Sequence, residues 1–520
     1  MILFILILIL IFGGILAWIA GSVNSLLSRW ITVITVLACF FIVLGIWINK
    51  EAYSSENSGW IIEYTQYWID RFGIQLHLAL DGLSILLLEL TFFLGLLAIF
   101  ASWSQIKHRT GFFHLNLLWV LAGISGVFLS VDMFLFYFFW EVMLVPMYFL
   151  IGIWGFGGRI YAAYKFFIFT QLSGLLMFLA ILTLYFIHAM QTGTYTFEYS
   201  ELMNTALSKP LSILLFLGFL IAFFVKLPIV PFHSWLPESY TEAPTAGSII
   251  LSGILSKTAA YGLLRFAIPF FPKAVSIFAP YLMALGALTI LYGAKLAFAQ
   301  SNIKRLVAYT SVSHMGFIIL GVFALNELAY QGVVMQIIAH GFGIGALFIL
   351  TGALQEKNNT LNIEAYGGLW SKAPKMGGIG LILALALLGL PGMASFVAEF
   401  LTLIGAFQSN VLVTAFAVTG FIVSVIYALK LFQRIFYGEV KNNEKISDFN
   451  IREMLIIFPA IAVIFWLGLF PGTVFQTSEK PVLNILEYMK RPEAEMPPVH
   501  KKKPVVSYAE VITDKSEPEP

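Results

Sequence analysis

The stretch FVKLPIVPFHSWLPESYTEAPTAGSIILSGILSKTAAYGLLRF, residues 224–266, decides the fold. It is apolar enough to lie in a bilayer, yet it carries Lys226 beside Leu227-Pro228 and Lys257 in the middle of a second apolar run. A charged amine in hydrocarbon costs roughly 2.5–3.5 kcal/mol on insertion scales, so such residues face a protein-lined, hydrated interior. Lysines placed in this way point to ion or proton handling.

Outward from that stretch the setting does not change. With 59% hydrophobic and 11% charged residues and a mean hydropathy of +0.89, the chain cannot be an ordinary water-soluble domain. Apolar runs of about 20 residues, the length a helix needs to cross a bilayer, recur almost without pause from 2 to 470, and about fourteen are counted. The longest polar stretch ahead of the tail is a loop at 49–78, so no separate soluble domain fits between the runs. A dinucleotide-binding unit is therefore excluded. The single cysteine, Cys39, excludes an iron–sulfur cluster and reads as a small core-packing residue.

Charge placement orients the helices. Alternate loops hold Arg29; Lys107 and Arg109; Arg159 and Lys165; Lys304 and Arg305; Lys357, Lys372 and Lys375; and Lys441, Lys445 and Arg452. Lysine and arginine mark cytoplasmic loops, so these are expected inside, and the acidic segments at 51–70 and 198–201 outside. An even number of helices then leaves both termini outside. The first apolar run has no basic start and no small-residue cleavage pattern, so it reads as a retained helix. The tail at 491–520, with PEAEMPP and KSEPEP, is too polar and proline-rich to pack and is expected to be disordered.

Proline inside a spanning helix frees backbone groups that protein or water must satisfy, so breaks line cavities. Two breaks stand out: Lys226-Leu227-Pro228 followed by Pro231, and Gly389-Leu390-Pro391-Gly392. Corresponding breaks in two halves mark inverted-repeat transporters. Five helices over 112–266 and five over 275–437 put each break in the fourth helix of its unit, and an odd number per unit gives opposite orientation. The expected architecture is all-α and polytopic. An N-terminal three-helix segment spans 1–111, and a final helix with an amphipathic segment spans 453–490. The alternative, that these prolines are ordinary kinks of membrane helices, stays open.

On this frame the ionisable residues within the apolar runs are Glu141, Lys226, Lys257, His340 and Glu399. Glu141 and Lys226 are an acid and an amine that would normally pair, and a buried pair whose partner can be drawn away has a movable pKa. In spatial order the five make a polar file across the membrane plane, and groups of different intrinsic pKa bridged by water relay protons. Each has a plainer alternative: Glu141 as a hydrogen-bonded tie between helices, His340 as a satisfied core histidine. His314 is a weaker candidate, and His233 is open between capping broken backbone and carrying protons. Lys295 reads as snorkelling to the cytoplasmic edge, and Gly341, Gly343 and Gly345 as helix-packing glycines with no strand before them. No metal or cofactor site is expected in this chain.

FWEVMLVPMYFLIGIWG (139–155), VKLPIVPFHSWLPESYTEAPTAGS (225–248), LSKTAAYGLLRF (255–266), AQSNIKRLVAYTSVSHMGF (299–317) and LPGMASFVAEF (390–400) resemble the proton-pumping, antiporter-like subunits of respiratory complex I. With HLALDGLSILLL at 77–88 the resemblance runs to about 439 and covers most of the chain. Most relatives resemble one another in carrying lysine on the twelfth helix; the M-type branch, equivalent to mitochondrial subunit 4, carries glutamate, as here at Glu399. The resemblance implies Glu141 as uptake-side carboxylate, Lys226 as pumping amine, Lys257 as connecting amine, His340 as linking histidine and Glu399 as terminal carrier. It also implies a multi-pass protein of the bacterial inner membrane, a subunit of the H+-translocating NADH:quinone oxidoreductase without a redox centre of its own. Its partners would be the other membrane-arm subunits, including neighbouring antiporter-like ones, and the lipid bilayer; no nucleic acid is implied. NADH, FMN, iron–sulfur clusters and quinone would sit in partner subunits. Three features depart from the pattern: LPESY replaces LPDAH, leaving Tyr240 where some members hold histidine; GMASFVAEF replaces GTSGFVGEF-like sequence; and Lys295 falls where relatives are apolar. Two other classes use similar features, a sodium/proton antiporter and a membrane subunit of a hydrogenase-type complex. A pure scaffold would have no use for so many costly charges.

Overall fold

The structure is a computed structural model that describes residues 1–53, 59–441 and 447–490. The tail at 491–520 and Lys445 lie outside the described residues.

Thirteen described helices are long and apolar enough to cross a membrane. Two shorter apolar helices, Pro374–Leu387 and Ala394–Ser409, flank the sequence Gly389-Leu390-Pro391-Gly392 and together make one more crossing. The chain is thus an all-α polytopic membrane protein. The helices differ in how much protein surrounds them. All of the most apolar window of Thr245–Phe270 is buried, 94% of that of Glu327–Asn358 and 89% of that of Ile303–Val322, against 33% for Val411–Phe436. Charges on the first three therefore face protein, as their desolvation cost requires.

Both proline sites are true interruptions, and the backbone chemistry is the same at each. Pro228 lacks the N–H that would reach the Phe224 carbonyl, which instead accepts from Ile229 N at 3.0 Å. The Val225 carbonyl accepts from Trp235 Nε1 at 2.8 Å. At the second break Leu390 N reaches back to the Leu385 carbonyl at 3.1 Å, and Gly389 and Gly392 take φ of 73° and 94°, conformations only glycine adopts without strain. A third interruption lies directly after Glu141: the segment Met133–Trp154 divides into Met133–Val142 and Leu144–Trp154, because Pro146 cannot donate to the Val142 carbonyl.

The stretch expected as a polar loop at 49–78 contains a β-hairpin. Ile62–Ile69 pairs antiparallel with Ile74–Leu80, Thr65 opposite His77, around a turn with Gly73 at φ 65°. The alternation in IEYTQYWI and the β-branched and aromatic content suit a half-buried strand. The last described helix, Gly472–Lys490, lies at the hairpin end of the bundle, where Ser478 bonds Gln331 at 3.1 Å and Thr477 bonds Trp47 at 3.0 Å.

The basic loops gather at the opposite end. Arg29 donates to the Ile106 carbonyl at 2.9 Å, Lys165 and Arg305 share Glu238 at 3.5 and 3.3 Å, and Lys357 pairs with Glu453 at 3.1 Å. Cys39 is buried in the core, and Gly341 lets the Leu90 side chain approach the helix Glu327–Asn358 closely.

Candidate functional site

Four of the five predicted site residues are buried and Glu141 is half-buried, and they do not all touch. Lys226, at the first break, is 1% exposed. Its ammonium sits 3.5 Å from the centre of the Trp140 ring and 3.4 Å from the Trp140 carbonyl. The expected direct pair with Glu141 is absent: among the described residues no nitrogen–oxygen contact within 4.0 Å joins them, although each lies within the other's field. The carboxylate turns toward the helix Arg159–Thr192, where Gln171 and, from its own helix, Tyr137 are its polar neighbours. Gly174 leaves the space for its Oε1, which has no hydrogen-bond partner. A cation over an indole face gains roughly 2 kcal/mol when desolvated, which stabilises the amine at this position beside the acid.

Lys257 follows a π-helical turn, Leu251–Leu255, in which the Leu251 carbonyl accepts both Ser256 N at 3.3 Å and Tyr240 Oη at 3.0 Å. Such turns distort a helix locally and recur at functional sites. The Lys257 ammonium donates to the Ser252 carbonyl, lies 3.2 Å from Ser256 Oγ and meets His340 Nδ1 at 2.8 Å. An imidazolium and an ammonium at that distance would repel, so the two share one proton rather than hold two.

His340 does not reach Glu399 directly. His314 stands between them, its ring centre 5.4 Å from that of His340 and its Nδ1 3.6 Å from Glu399 Oε1. Gln336 approaches the same Nδ1 at 3.4 Å. The second nitrogens of both histidines, the second oxygen of Glu399 and the Gln336 amide oxygen are buried without partners, the pattern of a site that takes up water. Glu399 also faces Tyr427 and lies against Gly389 of the second break. His314 was only a weak candidate because AYTSVSHMGF shows one histidine in an apolar run; nothing in that run tells which way it points.

The remaining candidates stay outside this set. His233 lies 5.4 Å from Tyr292, ring to ring, while Trp235 supplies the backbone cap. Lys295 is exposed. No group of three or more metal-ligating side chains has the geometry of a metal site among the described residues.

Residues 130–426, which hold every member of this set, match the family described as NADH:quinone oxidoreductase/Mrp antiporter, transmembrane. The chain is 48% identical over 494 residues to NADH-quinone oxidoreductase subunit M of Pseudomonas aeruginosa, covering 93% of this chain and 97% of that one. It belongs to the subunit M family of the antiporter-like complex I proteins. Subunit M of Escherichia coli is similar at 47% identity over the same coverage. NADH-ubiquinone oxidoreductase chain 4 of Marchantia polymorpha is 37% identical over 488 residues, 93% of this chain and 97% of that one. Among solved structures, a chain of respiratory complex I from Thermus thermophilus superposes with a TM-score of 0.82 at 30% identity, covering 93% of this chain and all of that one. A chain of the Mrp complex from Dietzia shares the fold at a TM-score of 0.79 and 20% identity, with 93% of this chain and 98% of that one covered.

Proposed function

We propose that this chain is the proton-translocating M subunit of a bacterial inner-membrane NADH:quinone oxidoreductase, seated between other membrane-arm subunits, and that protons cross it through Glu141, Lys226, Lys257, His340, His314 and Glu399. The observation that carries the reading is the run Lys257–His340–His314–Glu399, in which each group lies within direct or one-water reach of the next inside helices that are otherwise apolar. A proton on this run has two homes at each contact, amine or imidazole, then imidazole or carboxylate, so a change in local field moves it along. Lys226 lies over Trp140 with Glu141 in its field, so the amine would be drawn toward Glu141 when that residue is ionised. The amine is therefore a charge that can be displaced. Quinone reduction in partner subunits, which would hold NADH, FMN, iron–sulfur clusters and quinone, would supply that displacement through the neighbouring pumps. The two inverted five-helix units, at 112–266 and 275–437, are part of the same proposal, since each would place one break beside the file.

Glu399→Gln keeps size and hydrogen bonding but cannot titrate. In membrane vesicles carrying the assembled complex it is expected to retain the redox subunits and lose proton translocation. If the variant pumps like the parent, Glu399 leaves the path.

A further inference from the structure

At the hairpin end, away from the file, a cavity of 230 Å³ is lined by Glu63, His77, Asp81, Glu198, Tyr199 and Arg265, among others. Polarity and exposure grade along it. At the mouth the Glu63 side chain is 39% exposed; at the floor Arg265 and Asp81 form an ion pair, their side chains 9% and 4% exposed. Arg265 Nε is buried and has no partner, and the guanidinium also lies 5.0 Å from the Trp60 ring and 5.5 Å from the Tyr261 ring. Asp81 holds the start of the helix Gly82–Ala101 by accepting from Leu83 N and Ser84 N at 3.0 and 2.9 Å. Beneath the pair the Tyr261 hydroxyl donates to the Phe128 carbonyl at 3.1 Å and lies 3.4 Å from Ser84 Oγ.

The spacing sets this floor on the same helical segment as Lys257 of the file. Lys257, Tyr261 and Arg265 fall at steps of four on one helical segment, about one turn apart each time, with a second π-helical turn at Leu263–Ala267 around the arginine. The three polar side chains thus lie in order along one segment between the file and the cavity, and a fixed positive charge stands at the cavity floor. A guanidinium does not lose its proton in a protein, and an arginine set in a narrow polar passage excludes protons and cations electrostatically.

We propose that the Asp81–Arg265 pair is a charge gate that closes a proton opening from Lys257, by way of the Tyr261 hydroxyl, to the hairpin face. The inference rests on reading Lys257 as a proton carrier. A purely structural ion pair would only tie two helices together.

The test replaces both members at once, Asp81→Asn with Arg265→Gln, because breaking one would strand a buried charge whereas replacing both leaves none. Asn still caps the helix. Membrane vesicles carrying the intact complex are given an imposed pH gradient with no redox substrate, and its decay is followed with a pH-sensitive dye. A several-fold faster decay than in the parent is expected, abolished by adding either Lys257→Met or Tyr261→Phe; Arg265→Lys alone should stay tight. Vesicles of the double variant that hold the gradient like the parent overturn the gate, and a leak that persists with Lys257→Met overturns the route. Since no turnover is involved, the outcome is independent of whether Glu399→Gln pumps.

Discussion

Gly174 decides where the Glu141 carboxylate can sit, because a Cβ at that position would collide with Oε1. Gly174→Ala adds as much as ~1 kcal/mol of helix propensity, so the helix Arg159–Thr192 should be no less stable. Proton translocation is nevertheless expected to fall several-fold as the carboxylate is pushed off its position, measured as the initial rate of dye quenching in vesicles at unchanged redox-subunit content. His314 offers a second test. His314→Asn keeps a polar side chain beside Glu399 but removes the titratable group that stands, among the described residues, between His340 and that carboxylate. Translocation should drop by ~10²-fold or to background, the lower end of what a positioned proton-transfer group contributes. Pumping at the parent rate would show that protons pass His340 by another path. At this scale residue types were legible and pairings were not. Glu141, Lys226, Lys257, His340 and Glu399 stand out in any reading because charge is costly in an apolar run, whereas the indole beneath Lys226 is one of twelve tryptophans and carries no mark in the sequence.

Among the elements, the hairpin is held by a histidine clamped between two acids. His77 Nε2 lies 2.8 Å from Glu63 Oε1 on the facing strand, and Nδ1 lies 2.8 Å from Glu198 Oε2, 121 positions away. Burial works against the charged ring, but the hydrogen bonds and charges of Glu198 and Glu63 outweigh it and hold the His77 pKa above its ordinary 6.5. A raised folded-state value means that the clamp's contribution is complete below the unfolded value and is lost as pH rises through the folded one. Amide exchange within Ile62–Ile69 and Ile74–Leu80 should therefore be slower in mildly acidic than in alkaline buffer, beyond the intrinsic pH dependence of exchange, and His77→Gln should remove that difference. A hairpin whose excess protection is flat with pH would refute the clamp. The proline breaks were legible because a missing N–H is a local fact. What fills the freed carbonyls, Trp235 at one break and a backbone amide five residues on at both, depends on how the chain folds back.

For the molecule as a whole, alternate loops separate by charge, and the structure brings the basic ones to one end and the hairpin with Glu63, Asp81 and Glu198 to the other. Orientation follows from the excess of lysine and arginine on the cytoplasmic side. Lys107→Cys and Thr194→Cys lie at opposite ends and are both exposed, while the native Cys39 is buried and silent. An impermeant maleimide added to intact cells should label the Thr194 site and spare the Lys107 site; the reverse pattern would invert the orientation and with it the direction of the proposed gate.

The sequence by itself determined that the chain is a polytopic bundle of apolar helices, where two of those helices break and which side chains bear charge in hydrocarbon, since run length, a missing amide proton and the cost of desolvation are properties of a few neighbouring residues. Only the tertiary structure decided which of those charges meet. Lys257 meets His340 across 83 positions and Glu399 meets His314 rather than His340, because contact between distant residues depends on how packed helices are rotated and shifted against one another, a quantity set by all of their side chains together.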